Sequence, residues 1–441
     1  MRELPLAWAL PFAGLLLSIA VVPLVAPRFW HDHFGKVSAA WALLLIVPYA
    51  IAHGAAATLR PLAHALFDEY IPFIVILFAL YTISGGICVR GSFVGTPRLN
   101  ASILALGAAA ASVMGTTGAS MLLIRPLLTA NAGRRHQAHT VVFFILLVGN
   151  VGGALSPLGD PPLFIGFLKG VDFFWELEHL LAPTVLLAGA ILLIYVIADS
   201  WLYRLETGSA VMKRPAEQFA IEGSFNLLLI AAVVGAVLMS GVWHPGVEFD
   251  VLGTHLELEN VVRDALLVGL ALASLALTPR AIREHNVFHW APIVEVAKIF
   301  AGIFVTIIPV LTMLAAGRNG ALGFVSSFVL DPAGEPRNVA VFWTAGLLSA
   351  FLDNAPTYLV FFNLAGGDAR DLMTAQAGTL MAISMGAVYF GALTYIGNAP
   401  NFMIKAVAED RGVPMPSFFG FVAKSGGVML PLLAAIGFLY L

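Results

Sequence analysis

Gly153-Ala154-Leu155-Ser156-Pro157-Leu158-Gly159-Asp160-Pro161-Pro162-Leu163-Phe164 is answered later in the chain by Gly391-Ala392-Leu393-Thr394-Tyr395-Ile396-Gly397-Asn398-Ala399-Pro400-Asn401-Phe402. The two stretches lie 238 residues apart and agree at six of twelve positions. Both interrupt an apolar run with glycine, proline and polar side chains. The same offset carries Gly115 onto Asp353 and Thr116 onto Asn354, in two further breaks. One Gly–Pro match in apolar sequence means little. A shared offset at two separated places marks an internal repeat.

The surroundings of these breaks say where the repeat sits. The chain has 441 residues, 59% of them hydrophobic and only 11% charged, against about 25% charged in a soluble domain. Such a composition excludes an ordinary soluble enzyme and a disordered chain. The net charge of −3 offers no basic field for nucleic acid. The single cysteine, Cys88, excludes a disulfide framework and any multi-cysteine metal site. The expected class is an all-α polytopic membrane protein whose first partner is the lipid bilayer.

A bilayer core takes about 20 apolar residues per helix, roughly 17–25. Charge-poor segments predict ten spans, near 5–27, 37–57, 70–89, 139–168, 180–203, 225–243, 262–278, 293–316, 376–405 and 416–441. The first span is read as retained, being longer than a signal-peptide core and lacking a small-x-small cleavage site. Stretches 100–130 and 338–366 are too short for two crossings and are broken at Gly115-Thr116-Thr117 and Asp353-Asn354-Ala355-Pro356. They read as re-entrant hairpins, whose turn backbone needs protein or a water-filled cavity around it.

Each repeat then holds five crossings and one hairpin: residues 1–204, a cytoplasmic linker at 205–224, and residues 225–441. Five is odd, so the second copy is expected upside down relative to the first, its hairpin entering from outside and the first from inside. Inverted repeats with broken elements at mid-membrane are the plan of secondary transporters. With both termini outside, thirteen Lys and Arg residues fall on inner loops and six on outer ones, which agrees with the positive-inside bias. A bacterial inner membrane is the expected location. The outer loop His244–Val262 alternates like a short hairpin around Gly253-Thr254.

The breaks should converge, and an ionisable residue at that depth is a functional candidate by default. Asp160 and Asp353 are the two carboxylates. Around them fall Asn150, Ser156, Thr394, Asn398 and Asn354 as ion or proton ligands, and Thr116, Thr117, Thr357 and Asn401 as substrate contacts. This oxygen-rich set suits a hard cation, by analogy with calcium and magnesium sites. Asp160, Asp353, Asn354 and Asn398 would be the sodium ligands. Half-helix N-termini beside the breaks can instead face an anion. A desolvated carboxyl favours its neutral form and a bound cation favours the charged one, which is the physical basis of exchanging a proton for a cation. A helix N-cap is the lesser alternative for Asp160 before Pro161 and for Asp353 before Pro356, and capping is compatible with ion binding. Arg125 could neutralise Asp160, meet an anionic substrate or snorkel. Glu295 and Lys298, at i and i+3, could pair on one helix face. There is no phosphate-binding loop and no H-E-x-x-H motif, so no enzyme chemistry and no cofactor are expected beyond sodium and protons as transported or coupling ions.

Asn150-Val-Gly-Gly-Ala-Leu-Ser-Pro-Leu-Gly-Asp160-Pro-Pro, Asp353-Asn-Ala-Pro-Thr357 and Gly397-Asn-Ala-Pro-Asn401 together resemble the ion transporter superfamily over residues 60–430. The nearest resemblance is to its citrate-transporter group and NhaD-type sodium/proton antiporters. It implies an elevator mechanism, often in a homodimer, and puts Asp160 and Asp353-Asn354 at the ion site. Dicarboxylate members carry Ser-Asn-Thr at both hairpin tips, where this chain has Gly115-Thr116-Thr117 and Asp353-Asn354-Ala355. That difference disfavours a dicarboxylate, since two like charges about 4 Å apart at an effective dielectric near 20 repel by roughly 4 kcal/mol. A sodium/proton antiporter is the leading expectation, and a sodium- or proton-coupled citrate or organic-anion transporter the alternative.

Overall fold

A computed structural model describes residues 4–91, 93–206, 219–316, 320–331 and 334–441. Most of the expected linker, residues 207–218, lies outside the described residues, as do Arg2, Lys213, Arg214 and Arg318 from the charge count. The described chain is helical apart from two small antiparallel pairs. The first joins β1 (Cys88–Arg90) to β2 (Ala220–Glu222). The second, β3 (Glu248–Val251) with β4 (Thr254–Glu257), is the hairpin expected in the acidic loop.

The first copy begins with α1 (Leu10–Val25) and α2 (Pro27–His53), then α3 (Ala55–His64) and α4 (Ile71–Ser84). A π-helical turn, Ala65–Tyr70, joins α3 to α4 into one long span. The second and third spans thus start ten and fifteen residues before the positions expected from charge-poor sequence. The early part of the third span carries charges that the structure pairs: His64 with Asp68, and Glu69 with Lys169. Paired or snorkelling charges at a membrane edge cost little, so a charge-free window misses those turns.

The first hairpin is α5 (Pro97–Met114) and α6 (Thr116–Asn131). Thr96 caps α5 by accepting from Leu99 N, and Pro97 pre-sets the first helical φ. The broken span follows as α7 (Ala138–Leu147), a 3₁₀ turn at Val151–Leu155 and α8 (Pro161–Leu168); α9 (Trp175–Glu206) closes the copy.

The second copy contains α10 (Phe225–Val242), α11 (Leu258–Leu277), the short α12 (Arg280–His285), and α13 (Ala291–Thr306) with α14 (Ile308–Ala315), which are bent by 41°. After α15 (Gly323–Val329), its hairpin is α16 (Asn338–Leu352) and α17 (Asn354–Leu364). Then come α18 (Ala369–Met373), the broken pair α19 (Ala377–Phe390) and α20 (Ala399–Asp410), and α21 (Phe418–Tyr440). Among the described residues eight helices are long and apolar enough to cross a membrane, and the bent α13–α14 pair makes a ninth. The tenth expected span, 376–405, is the broken α19–α20, too short in either piece to pass as one.

The two copies share backbone detail at the breaks. Gly115 has φ +79°, ψ 150°, and Asp353 has φ +80°, ψ 149°. The Ser156 hydroxyl donates to Ser112 O and accepts from Leu158 N. At the same offset the Thr394 hydroxyl donates to Ala350 O and accepts from Ile396 N. In both, two chain segments touch through glycine: a Cβ on Gly159 or Gly397 would strike the carbonyl of Gly153 or Gly391. Among the described residues five membrane-length helices precede residue 207.

Burial separates centre from periphery. The broken span Ala138–Leu155 is 83% buried, whereas Pro27–His53 is 11% buried. The breaks therefore lie in the middle of the protein, and α2 offers its apolar side chains to lipid. One bundle is built by α1, α2 and α13, with α4, α10 and α11 beside them; the hairpins, α7, α8, α9, α19, α20 and α21 form the other.

Candidate functional site

Four helices begin at one point. Thr116 opens α6, Asp160 precedes α8, Asn354 opens α17 and Asn398 precedes α20. Their side chains meet. Asp160 Oδ1 accepts from Thr116 Oγ1 at 3.2 Å and from Asn398 Nδ2 at 3.0 Å, and Asp160 Oδ2 accepts from Asn354 Nδ2. Asp160 makes no capping bond to its own helix; its carboxylate is given wholly to side chains from three other elements. All four residues are buried to within 2%. Four helix N-termini direct partial positive charge at this carboxylate, and the three donors satisfy it without any cationic side chain.

Asp353, at the hairpin tip beside Asn354, is only part-buried. Its Oδ1 accepts from Asn354 N at 2.7 Å, and Asp160 feels its charge. Its backbone falls in the region that glycine occupies at Gly115. A side chain held there costs of order 1–3 kcal/mol, and the second copy bears that cost where the first does not.

The other expected ligands mostly hold backbone. Asn150 Nδ2 donates to Ile145 O and to Asn401 Oδ1, both at 2.8 Å. Asn401 Nδ2 donates in turn to Gly391 O and Thr394 O, and Asn398 Nδ2 also reaches Gly149 O at 3.1 Å. These bonds stitch the two broken spans together. Ser156 and Thr394 anchor their own breaks to the hairpins, and the Thr357 hydroxyl donates to Asp353 O at 2.8 Å. Hydroxyls and amides in an unwound span are closest to the carbonyls that lost their helical partners, so backbone satisfaction takes them first. Thr117 is half-buried and is not among the contacts of Asp160. Two buried acceptors, Asn354 Oδ1 and Asn150 Oδ1, have no partner.

Arg125, Glu295 and Lys298 lie elsewhere. Arg125 is close to Arg411, Tyr81 and Cys88. Glu295 neighbours Trp30 and His31. The Lys298 ammonium sits 5.5 Å over the Phe34 ring. Among the described residues no ion pair joins Glu295 to Lys298, and no Lys or Arg pairs with Asp160 or Asp353.

A second buried cluster lies in the first copy. Asp199 takes an ion pair from Arg134 at 2.6 Å and hydrogen bonds from His139, Tyr195 and Asn100. Asn100 and Asn131 exchange amide bonds between the hairpin arms. Sequence reading missed this anchor because its members, spread from residue 100 to 199, share no local motif.

Comparison with known proteins agrees with a transport architecture. The family described as "Putative citrate transport" matches residues 1–441. A "46 kDa membrane protein" of Mycobacterium leprae is 24% identical over 360 residues, covering 78% of this chain and 77% of its own. Proteins named as uncharacterized transporters in Mycobacterium bovis and Mycobacterium tuberculosis are each 24% identical over 359 residues, covering 79% of this chain and 77% of theirs.

Proposed function

Because the chain belongs to this citrate-transport family and is an integral membrane transporter rather than an enzyme, we propose that it exchanges sodium for protons across the membrane. Asp160 and Asp353 form the shared cation and proton site. The observation that carries the reading is Asp353 itself: an aspartate kept at a glycine-type φ of +80°, next to the asparagine that binds the second carboxylate. Strain at such a residue is retained when the side chain does something there.

The electrostatics favour a cation. Two carboxylates with neutral partners attract a positive charge and repel a polyanion. Asn354 Oδ1, buried and without a partner, is an acceptor of the kind a dehydrated hard cation requires. When sodium leaves, a proton takes its place on the carboxylates, so one charge crosses in each direction. The bundle holding both hairpins moves against the bundle of α1, α2, α4, α10, α11 and α13, carrying the site from one face to the other. The homodimer and inner-membrane orientation expected from sequence belong to the same reading.

A specific observation favours a second reading. Four helix N-termini around Asp160 would also stabilise a substrate carboxylate, and the family is described by citrate transport. In that case sodium at the aspartates bridges them to citrate. Protein reconstituted in liposomes separates the two. The antiport reading expects sodium to dissipate an imposed pH gradient without citrate, and Asp353→Asn to abolish the response. Sodium-dependent uptake of labelled citrate, with no sodium–proton exchange in its absence, would overturn antiport in favour of the second reading.

A further inference from the structure

Another carboxylate is buried outside the Asp160 cluster. Glu176, in the first turn of α9, has no exposed surface, and neither carboxylate oxygen has a hydrogen-bond partner. Two more orphaned oxygens share its surroundings: the Tyr358 hydroxyl on α17 and Ser384 Oγ on α19, both fully buried. Tyr358 lies within electrostatic reach of Glu176 and beside Ser384. Gly166 of α8 leaves the space that the Tyr358 hydroxyl fills; a Cβ there would collide with it. Three helices thus place four buried oxygens here, Tyr358 and Ser384 near enough to pair with each other, while among the described residues no Lys or Arg pairs with Glu176 and neither of its oxygens has a partner. An ionised carboxylate cannot be kept in such a place without a partner. A neutral carboxylic acid can, because it supplies the missing donor.

The position links this group to the ion site. Asn354 and Tyr358 are four residues apart on α17, about one turn or 6 Å of rise. The helices α8 and α17 lie side by side from Asp160 and Asn354 at their starts to Gly166 and Tyr358. Beyond them, Glu176 neighbours Asp172, an exposed carboxylate in the loop after α8. The titratable groups facing Glu176 are therefore Tyr358 and Asp172, while α8 and α19 present Gly166 and Ser384. The Trp175 indole bonds Met373 O at 3.3 Å and holds the turn in place.

We propose that Glu176, with Tyr358 and Ser384, is a separate proton-binding site, protonated in the packing seen here and able to pass its proton toward Asp172. Its role in coupling rests on the antiport reading; its protonation does not. Infrared difference spectroscopy on the purified full chain tests the protonation directly. At neutral pH the wild type should show the C=O stretch of a buried carboxylic acid. That band should be lost in Glu176→Gln and shifted in Tyr358→Phe, a variant that keeps the ring packing if Glu176→Gln fails to fold. In liposomes, Glu176→Gln should lose the pH dependence of sodium flux while sodium still raises its thermal midpoint through the Asp160 site. A band unchanged in both variants overturns the proposal. A band that behaves as stated in a wild type lacking sodium flux overturns antiport alone.

Discussion

The two copies of the repeat agree in backbone and differ in charge. Ser156 and Thr394 make the same bonds to Ser112 O and Ala350 O, and Gly115 and Asp353 share one pair of dihedral angles. Yet the first copy places its carboxylate in the broken span, with glycine at the hairpin tip. The second places its carboxylate at the tip, with Asn398 in the broken span. Each copy therefore supplies one acid and one neutral counterpart, from opposite elements. Convergence of four helix N-termini is a property of the shared scaffold; the charge at their meeting point is a property of what differs.

Erasing that difference should have the largest effect. Asp160→Asn gives the first broken span the residue of the second, and sodium-dependent flux in liposomes should fall to background while the protein remains folded in detergent. Next comes an asymmetry in packing. Asn100 has a counterpart in Asn338, but Arg134, His139 and Asp199 correspond to Leu372, Ala377 and Gly437. The second copy is held there by a Thr379–Asn338 hydrogen bond of 2.8 Å instead. Asp199→Ala removes one of the two carboxylates that pair with Arg134, the other being Glu206 at 3.1 Å, together with the acceptor of His139, Tyr195 and Asn100, and should cost about 2–3 kcal/mol in a detergent unfolding assay. Thr379→Val should cost about 1 kcal/mol.

The hairpin tips give a smaller, two-signed test. Asp353→Gly removes the strain of a positive φ, roughly 1–3 kcal/mol, and returns part of it as chain entropy. We expect a net gain of about 1 kcal/mol together with loss of transport. Gly115→Asp should lose stability by a similar amount. The smallest effect concerns the bonds that the copies share: Ser156→Ala and Thr394→Ala should each cost about 1 kcal/mol, with equal shifts in thermal midpoint. Unequal shifts would mean that the matching bonds carry different loads.

Much of this was written in the sequence. Apolar length marked the crossings, and Gly, Pro, Asn and Asp marked the breaks, because only there can a membrane chain leave its helical hydrogen bonding. Asp160, Asp353, Asn354 and Asn398 were legible as polar residues at those breaks. The roles of Asn150, Ser156, Thr394 and Asn401 were not, since a motif does not say whether an oxygen faces a cavity or a bare carbonyl. Glu176 was hidden by the expected start of its span at 180, five residues after the helix begins at Trp175, which left it looking like a loop residue. The early part of the third span was missed because Glu69 finds its partner, Lys169, only in three dimensions.

The account stands on Asp160 and Asp353 acting as one site that trades a proton for a cation. Sodium titration of the purified protein in weakly buffered solution, with heat and released protons recorded together, tests that most directly. The account predicts saturable sodium binding coupled to proton release, with both lost in Asp160→Asn and proton release reduced or lost in Asp353→Asn. Sodium binding of undiminished affinity in both variants, or binding that releases no protons from the wild type across the neutral range, would contradict it.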